Sequence, residues 1–312
     1  MDTLRTVTRT QGNNAALKDG TVRPRTFEFA FEEVDPLIAA FRRMVRNLEF
    51  DIAEMAMTTY ITAREHGKRM TAIPVFLVRA FHHGAILHNV KAGIRHPKDL
   101  EGRRVGVNRG YTVTTGVWAR SILQHQYGVD LSTITWVLSG DEHVAEYSPP
   151  ANVVRLESGR KMADLLASGE LPAAIGVETD HPDVAPLIPD ALEAGLDALR
   201  ERGHYPINHT IVVKDELLEA RPDLAADVFD AFARAKRVYL ERLAAGRIED
   251  PTKIDELHRR VLAITGDPLP YGIAPNRAVL EELVGSAREQ GIINRPVAID
   301  ELFARGTRDL VA

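Results

Sequence analysis

The sequence predicts an α/β protein of two lobes around a hinged cleft, with a helical C-terminal region. Three observations lead there. Strand-length apolar runs alternate with amphipathic helical patterns along most of the chain. Polar, Pro/Gly-containing segments, "VKAGIRHPKDLEG" and "ERGHYP", interrupt that alternation at two places and reset it. The chain then ends in long amphipathic helices. This pattern assigns residues 1–102 and 206–312 to lobe I and residues 103–205 to lobe II.

The elements follow in order. "LRTVTRT" alternates as a first strand. "DPLIAAFRRMVRNLEF" carries Leu37, Phe41, Met44, Val45 and Leu48 at helical spacing. "FDIAEMAMTTYI" reads as a strand followed by a loop, with Thr58, Thr59 and Tyr60 at the strand's end. "MTAIPVFLVRAF" and "GAILHN" are near-continuous apolar runs, the signature of strands covered on both faces. A fresh strand, Arg104 to Val107, opens lobe II and leads through a threonine-rich turn into a helix from about Thr114 to Gln126. "TITWVLSG", a helix near Gly159–Ser168, and "LPAAIGV" continue that lobe. "INHTIVVKDELL" returns to lobe I as a strand, and "RPDLAADVFDAFARAKRVYLERLAAG" is a long helix.

Composition narrows the function. The 312 residues are 45% hydrophobic and 27% charged, ordinary for a globular chain with a sizeable core. A net charge of −5 gives no electrostatic reason to expect nucleic acid or an anionic membrane as partner. The absence of cysteine excludes disulfides, thiolate catalysis and cysteine-held metal. No apolar run approaches the roughly 20 residues of a membrane span. The first residues show no apolar leader, so a cytoplasmic protein is expected. A homo-oligomer is left open.

"GIRHPKDLEGRRVGV" followed by "VWARSIL" resembles the opening of the second lobe in the type 2 periplasmic-binding-protein fold. "TIVVKDELLEARPDLAADVFDAFARA" is similar to the return helices of that superfamily. "VFLVRAFHHGAILHN", "VNRGYTVTTGVWARSILQHQYGV" and "YPINHTIVVKDELL" resemble its 4,5-dihydroxyphthalate decarboxylase branch. The likeness runs from about Thr3 to the last helices. It implies a carboxy-lyase that works without a cofactor on a hydroxylated aromatic dicarboxylate, giving protocatechuate from 4,5-dihydroxyphthalate. The alternative within the fold is the solute-binding protein of an importer, holding a small carboxylated aromatic.

Ligands in such folds sit at the C-terminal ends of strands and at helix N-termini. That rule selects the turn from Asn108 and Arg109 through Tyr111, Thr112, Thr114 and Thr115, whose N–H groups and hydroxyls suit a carboxylate. Helix capping by Thr114 or Thr115 is the structural alternative. Thr58 and Thr59 close a strand at a corresponding place, and Glu54 earlier in that strand needs a partner if buried.

In an extended strand Arg79 and His83 of "RAFHHG" share one face, and His82 takes the other. Adjacent histidines on opposite faces, with no HxxxH or HExxH spacing, argue against a metal. Arg79 is therefore read as a carboxylate grip. His82, His83 or His209 is read as the proton donor, with a structural Arg79–Glu54 pair as the alternative. His204 and Asn208 flank the second crossover, and Glu178 ends a lobe II strand. Both acidic clusters, Asp141–His143 and Glu178–His181, read as solvated loops. His66, His96, His125 and His258 are background.

Overall fold

The computed structural model describes residues 1–312. Its strands are β1 (Asp2–Val7), β2 (Phe27–Glu32), β3 (Ile52–Ala56), β4 (Met70–Arg79), β5 (Ile86–Asn89), β6 (Arg104–Val107), β7 (Thr135–Leu138), β8 (Val153–Arg155), β9 (Ala173–Ile175), β10 (Val184–Pro186) and β11 (Ile207–Lys214). Its helices are α1 (Ala15–Lys18), α2 (Ile38–Asn47), α3 (Met57–Glu65), α4 (Thr114–Tyr127), α5 (Met162–Ser168), α6 (Ala191–Arg202), α7 (Asp215–Ala220), α8 (Leu224–Ala244), α9 (Lys253–Thr265) and α10 (Arg277–Glu289).

Two compact units result, each with its own mixed sheet. Unit 1 comprises Met1–Arg79, Ile207–Glu281 and Val297–Ala312, and unit 2 comprises Ala80–Pro206 and Glu282–Pro296. The expected boundary at 102/103 falls well after the observed one at 79/80, while that at 205/206 lies within one residue of the observed 206/207. β5 pairs with β9 and β10 in the second sheet, so the chain enters unit 2 directly after Arg79. The second half of α10 also belongs to unit 2, a return that no local pattern announces.

In unit 1 the strand order is β2-β1-β3-β11-β4, with β11 antiparallel to both neighbours. The C-terminal ends of β1, β3 and β4 thus share one sheet edge with the N-terminal end of β11. β4 is the terminal strand of that ladder, which is why it tolerates Pro74: proline has no N–H to give. The Pro74 carbonyl accepts the Gly272 N–H, and Ala72 bridges to Phe303, so the C-terminal segment covers this strand. α2 buries Phe41, Met44 and Val45 of the predicted face together with Ala40, whereas Leu37 and Leu48 are half-buried at its two caps.

In unit 2 the order is β10-β5-β9-β6-β7-β8, and β9, β6, β7 and β8 run parallel. α5 lays Met162, Leu165 and Leu166 on Val137 and Ala174 of this sheet. Gly106 lets it approach closely, because a Cβ there would meet the Met162 sulfur at 2.8 Å. No helix is long and apolar enough to cross a membrane.

Two predicted elements differ. "RAFHHG" does not continue as a strand: β4 stops at Arg79, and His83–Ala85 form a short 3₁₀ turn. His83 therefore does not share a strand face with Arg79, and the two lie in different units. Thr58 and Thr59 do not end a strand but stand in the first turn of α3, which follows β3 without a loop.

Candidate active site

In unit 2 the C-terminal ends of β6 and β9 meet the N-terminus of α4. A pocket of about 350 Å³ opens there, lined by Val107, Asn108, Arg109, Thr115, Gly116 and Gly176 among others. Its geometry is set locally. Asn108 donates from Nδ2 to the Gly176 carbonyl at 2.8 Å and accepts from the Ser139 hydroxyl at 3.1 Å. Arg109 adopts φ 73°, a left-handed conformation, and its N–H donates to Ser139 Oγ at 2.7 Å. α4 begins after Val113, whose side chain cannot cap, so the expected capping by Thr114 or Thr115 is not used. The positive end of a 14-residue helix faces these small residues, a setting suited to an anion.

The N–H groups of Tyr111 and Thr112 are already committed. Glu142 Oε1 accepts the Tyr111 N–H at 2.5 Å, and Oε2 accepts the Thr112 N–H at 3.2 Å and hydroxyl at 2.6 Å. Gly110 makes room for that carboxylate, since a Cβ there would stand 2.7 Å from Oε2. The carboxylate that Tyr111 and Thr112 hold is the protein's own. Glu142 is accordingly buried rather than part of a solvated loop.

In unit 1 the shared sheet edge gathers Thr58, Thr59, Arg79, Asn208 and His209. Glu54 is fully buried in β3. Its Oε2 accepts the Arg9 N–H at 2.9 Å, and its Oε1 lies 2.6 Å from His209 Nδ1. The partner that Glu54 requires is thus His209 and not Arg79. The His209 ring stands edge-on to Phe41, centroids 5.2 Å apart, and keeps 18% of its side chain exposed, so Nε2 stays reachable. Arg79 is buried at the end of β4, hydrogen-bonded to Asn276, whose amide donates to the carbonyls of Pro270 and Gly272. Asn208 lies where β11 and β4 shift register. Thr58 and Thr59 begin α3, which again lacks a side-chain cap.

A protein of Comamonas testosteroni named 4,5-dihydroxyphthalate decarboxylase is 31% identical over 304 residues, 92% of each chain. The chain belongs to the 4,5-dihydroxyphthalate decarboxylase family. A protein of the same name from Pseudomonas putida is 32% identical over 193 residues, 55% of this chain and 74% of its own. No family model matches the chain. Among solved structures, the periplasmic aliphatic sulphonate binding protein of Escherichia coli superposes with a TM-score of 0.54 at 13% identity, covering 97% of this chain and 92% of that one. The fold is therefore periplasmic-binding-protein-like, and the family is one of carboxy-lyases.

Within this decarboxylase fold the predicted residues separate clearly. Asn108, Arg109, Thr115 and Glu178 line the unit 2 pocket. Tyr111, Thr112 and Thr114 are buried, the first two engaged by Glu142 as described. His83 is buried with Nε2 2.9 Å from Gln126 Oε1, and burial lowers its pKa below the usual imidazole value. His204 is buried with Nδ1 3.0 Å from Glu282 and its ring edge-on to Trp118. His82 is buried at the start of the 3₁₀ turn. No three His, Asp or Glu side chains converge as a metal site would need.

Sequence reasoning flagged Glu54 only as an acid in need of a partner. The Glu54–His209 spacing of 155 residues hides the pair. The apolar setting of β3 was the available signal, because an acid inside "IAEMA" demands a buried donor.

Proposed function

We propose that this protein catalyses the non-oxidative decarboxylation of 4,5-dihydroxyphthalate to protocatechuate. The observation that carries the reading is the Glu54–His209 pair. A buried carboxylate 2.6 Å from Nδ1 fixes the imidazole's orientation and tautomer and leaves Nε2 as the working atom.

The chemistry asks for few parts. A ring hydroxyl para to the departing carboxylate pushes electron density onto the carbon that bears it. Protonated His209 donates its Nε2 proton to that carbon, forming the C–H bond. The C–C bond breaks and CO2 leaves, the bonding pair remaining with the ring. Neutral His209, still donating Nδ1–H to Glu54, regains a proton from water. Positioned acid catalysis of this kind contributes about 10²–10⁴-fold.

The remaining binding roles follow from the residues. Arg79, held by Asn276, supplies a cationic contact for a substrate carboxylate without needing to reorganise. Asn208, at the same sheet edge as His209, offers an amide contact for the phenols.

Incubation with 4,5-dihydroxyphthalate tests this directly. Protocatechuate and CO2 in equal amounts are expected. Thermal stabilisation without turnover would instead make the protein a binder of aromatic acids.

A further inference from the structure

Phe41 has the pattern of an ordinary core residue. It lies on the buried face of α2 with Ala40, Met44 and Val45. One ring that it packs against is nevertheless an imidazole: the centroids of Phe41 and His209 are 5.2 Å apart and their planes meet at 88°. Both groups against that imidazole are shielded from water, since Phe41 is buried and Glu54 fully so. His209 thus stands between a carboxylate at Nδ1 and a phenyl ring set perpendicular to its own plane.

The neighbouring strands leave much of the steadying to that second contact. Directly opposed residues of an antiparallel pair share one face of the sheet. β3 sets Ala56 opposite His209, and a single methyl is too small to restrain an imidazole. On the other side the register partner is Val78, but β11 and β4 shift register both before and after it. The hydrogen bond to Glu54 fixes where Nδ1 lies and tolerates a range of ring tilts. Each tilt carries Nε2, on the far side of the ring, along an arc. Proton delivery to a ring carbon needs that atom close and aligned.

We infer that Phe41 is a positioning residue for the decarboxylation, its ring confining the His209 imidazole to the tilt at which Nε2 meets the substrate carbon. The inference rests on the decarboxylase reading, which makes Nε2 the atom that delivers the proton. Phe41 acts only through His209 and exchanges no proton itself. Glu54 sets the tautomer, and Phe41 sets the tilt. The flat shape of the ring matters more here than its apolarity, so leucine fills the space without replacing the wall.

Turnover of 4,5-dihydroxyphthalate by Phe41→Leu tests this. Its kcat should fall about 10-fold or more, with KM within about twofold of the parent. Phe41→Met carries the same expectation should the leucine variant fail to melt cooperatively. Val45→Ala, one turn farther along α2, lowers the melting temperature at a core position that presents no ring to His209, and its kcat should stay within about twofold of the parent. In a Glu54→Gln background, Phe41→Leu should slow the reaction less than about threefold further, because an imidazole in the wrong tautomer has no productive tilt left to lose. The His209 nitrogen signals give a reading without turnover: one sharp set in the parent, broadened or doubled in Phe41→Leu. Parent-like kcat in Phe41→Leu, an equal loss in Val45→Ala, or a further loss of about tenfold in the Glu54→Gln background overturns the inference. A parent protein that releases no CO2 sinks the decarboxylase reading instead. The His209 signals then decide whether the ring fixes the imidazole, and unchanged signals in Phe41→Leu overturn that as well.

Discussion

Replacing Glu54 by glutamine isolates what the buried carboxylate does for His209. The substitution is close to isosteric but changes the hydrogen-bond inventory. Glu54 accepts two hydrogen bonds, from the Arg9 N–H and from His209 Nδ1, and has no water to fall back on. A glutamine can accept only one of them through its oxygen, and its NH2 then faces the other position. If the oxygen stays with Arg9, the amide forces His209 to accept at Nδ1 and to carry its proton on Nε2. One charge-assisted hydrogen bond is lost, worth about 1.5–3 kcal/mol, partly offset because no charge is now buried. A net loss of ~1–3 kcal/mol leaves the protein folded. The rate suffers more, because an imidazole locked with its proton on Nε2 cannot end the cycle as the Nδ1–H tautomer. Protocatechuate formation is expected to fall about 10²–10⁴-fold with substrate affinity little changed. Imidazole nitrogen chemical shifts read the tautomer in the same sample. A variant whose tautomer has switched but whose rate stays within about threefold of the parent (far short of a general-acid contribution) refutes the role given to the pair.

Two further outcomes concern stability. Burial pushes the His258 pKa from 6.5 down to about 4, so the unfolded chain takes up its proton first as pH falls. Its contribution is intact above the unfolded pKa and is lost as pH drops toward the folded one, ~1.4 kcal/mol per unit and about 3 kcal/mol in all. His258→Gln should flatten the acid side of a urea-midpoint profile; an unchanged slope contradicts this. Gly110→Ala places a Cβ 2.7 Å from Glu142 Oε2. It should cost about 1–3 kcal/mol in chemical denaturation by expelling that carboxylate, and an unaltered midpoint would show that Glu142 does not hold the turn.

Much of this was legible along the chain. β6, α4, β9 and the long α8 fall where their apolar spacing puts them, because each buries a face its own residues define. What the sequence hid was nonlocal. β5 reads like the partner of β4, yet it completes the other sheet, since an apolar strand does not encode which ladder it joins. Thr58 and Thr59 carry β-branched residues that suit a strand, but tertiary packing makes them the start of a helix. Glu142 and His258 look solvated by composition, and only the fold brings the Thr112 hydroxyl to one and Tyr239 to the other, at 2.6 and 2.8 Å. His209 was one histidine among several, and its distinction rests on Glu54, far away in sequence.

The sharpest single measurement is the turnover and binding of 4,5-dihydroxyphthalate by His209→Gln, made side by side. The variant should bind the substrate within a few-fold of the parent yet release CO2 at least ~10²-fold more slowly. Parent-like CO2 release from His209→Gln would contradict the assignment of the proton donor and, with it, the mechanism proposed for this family member.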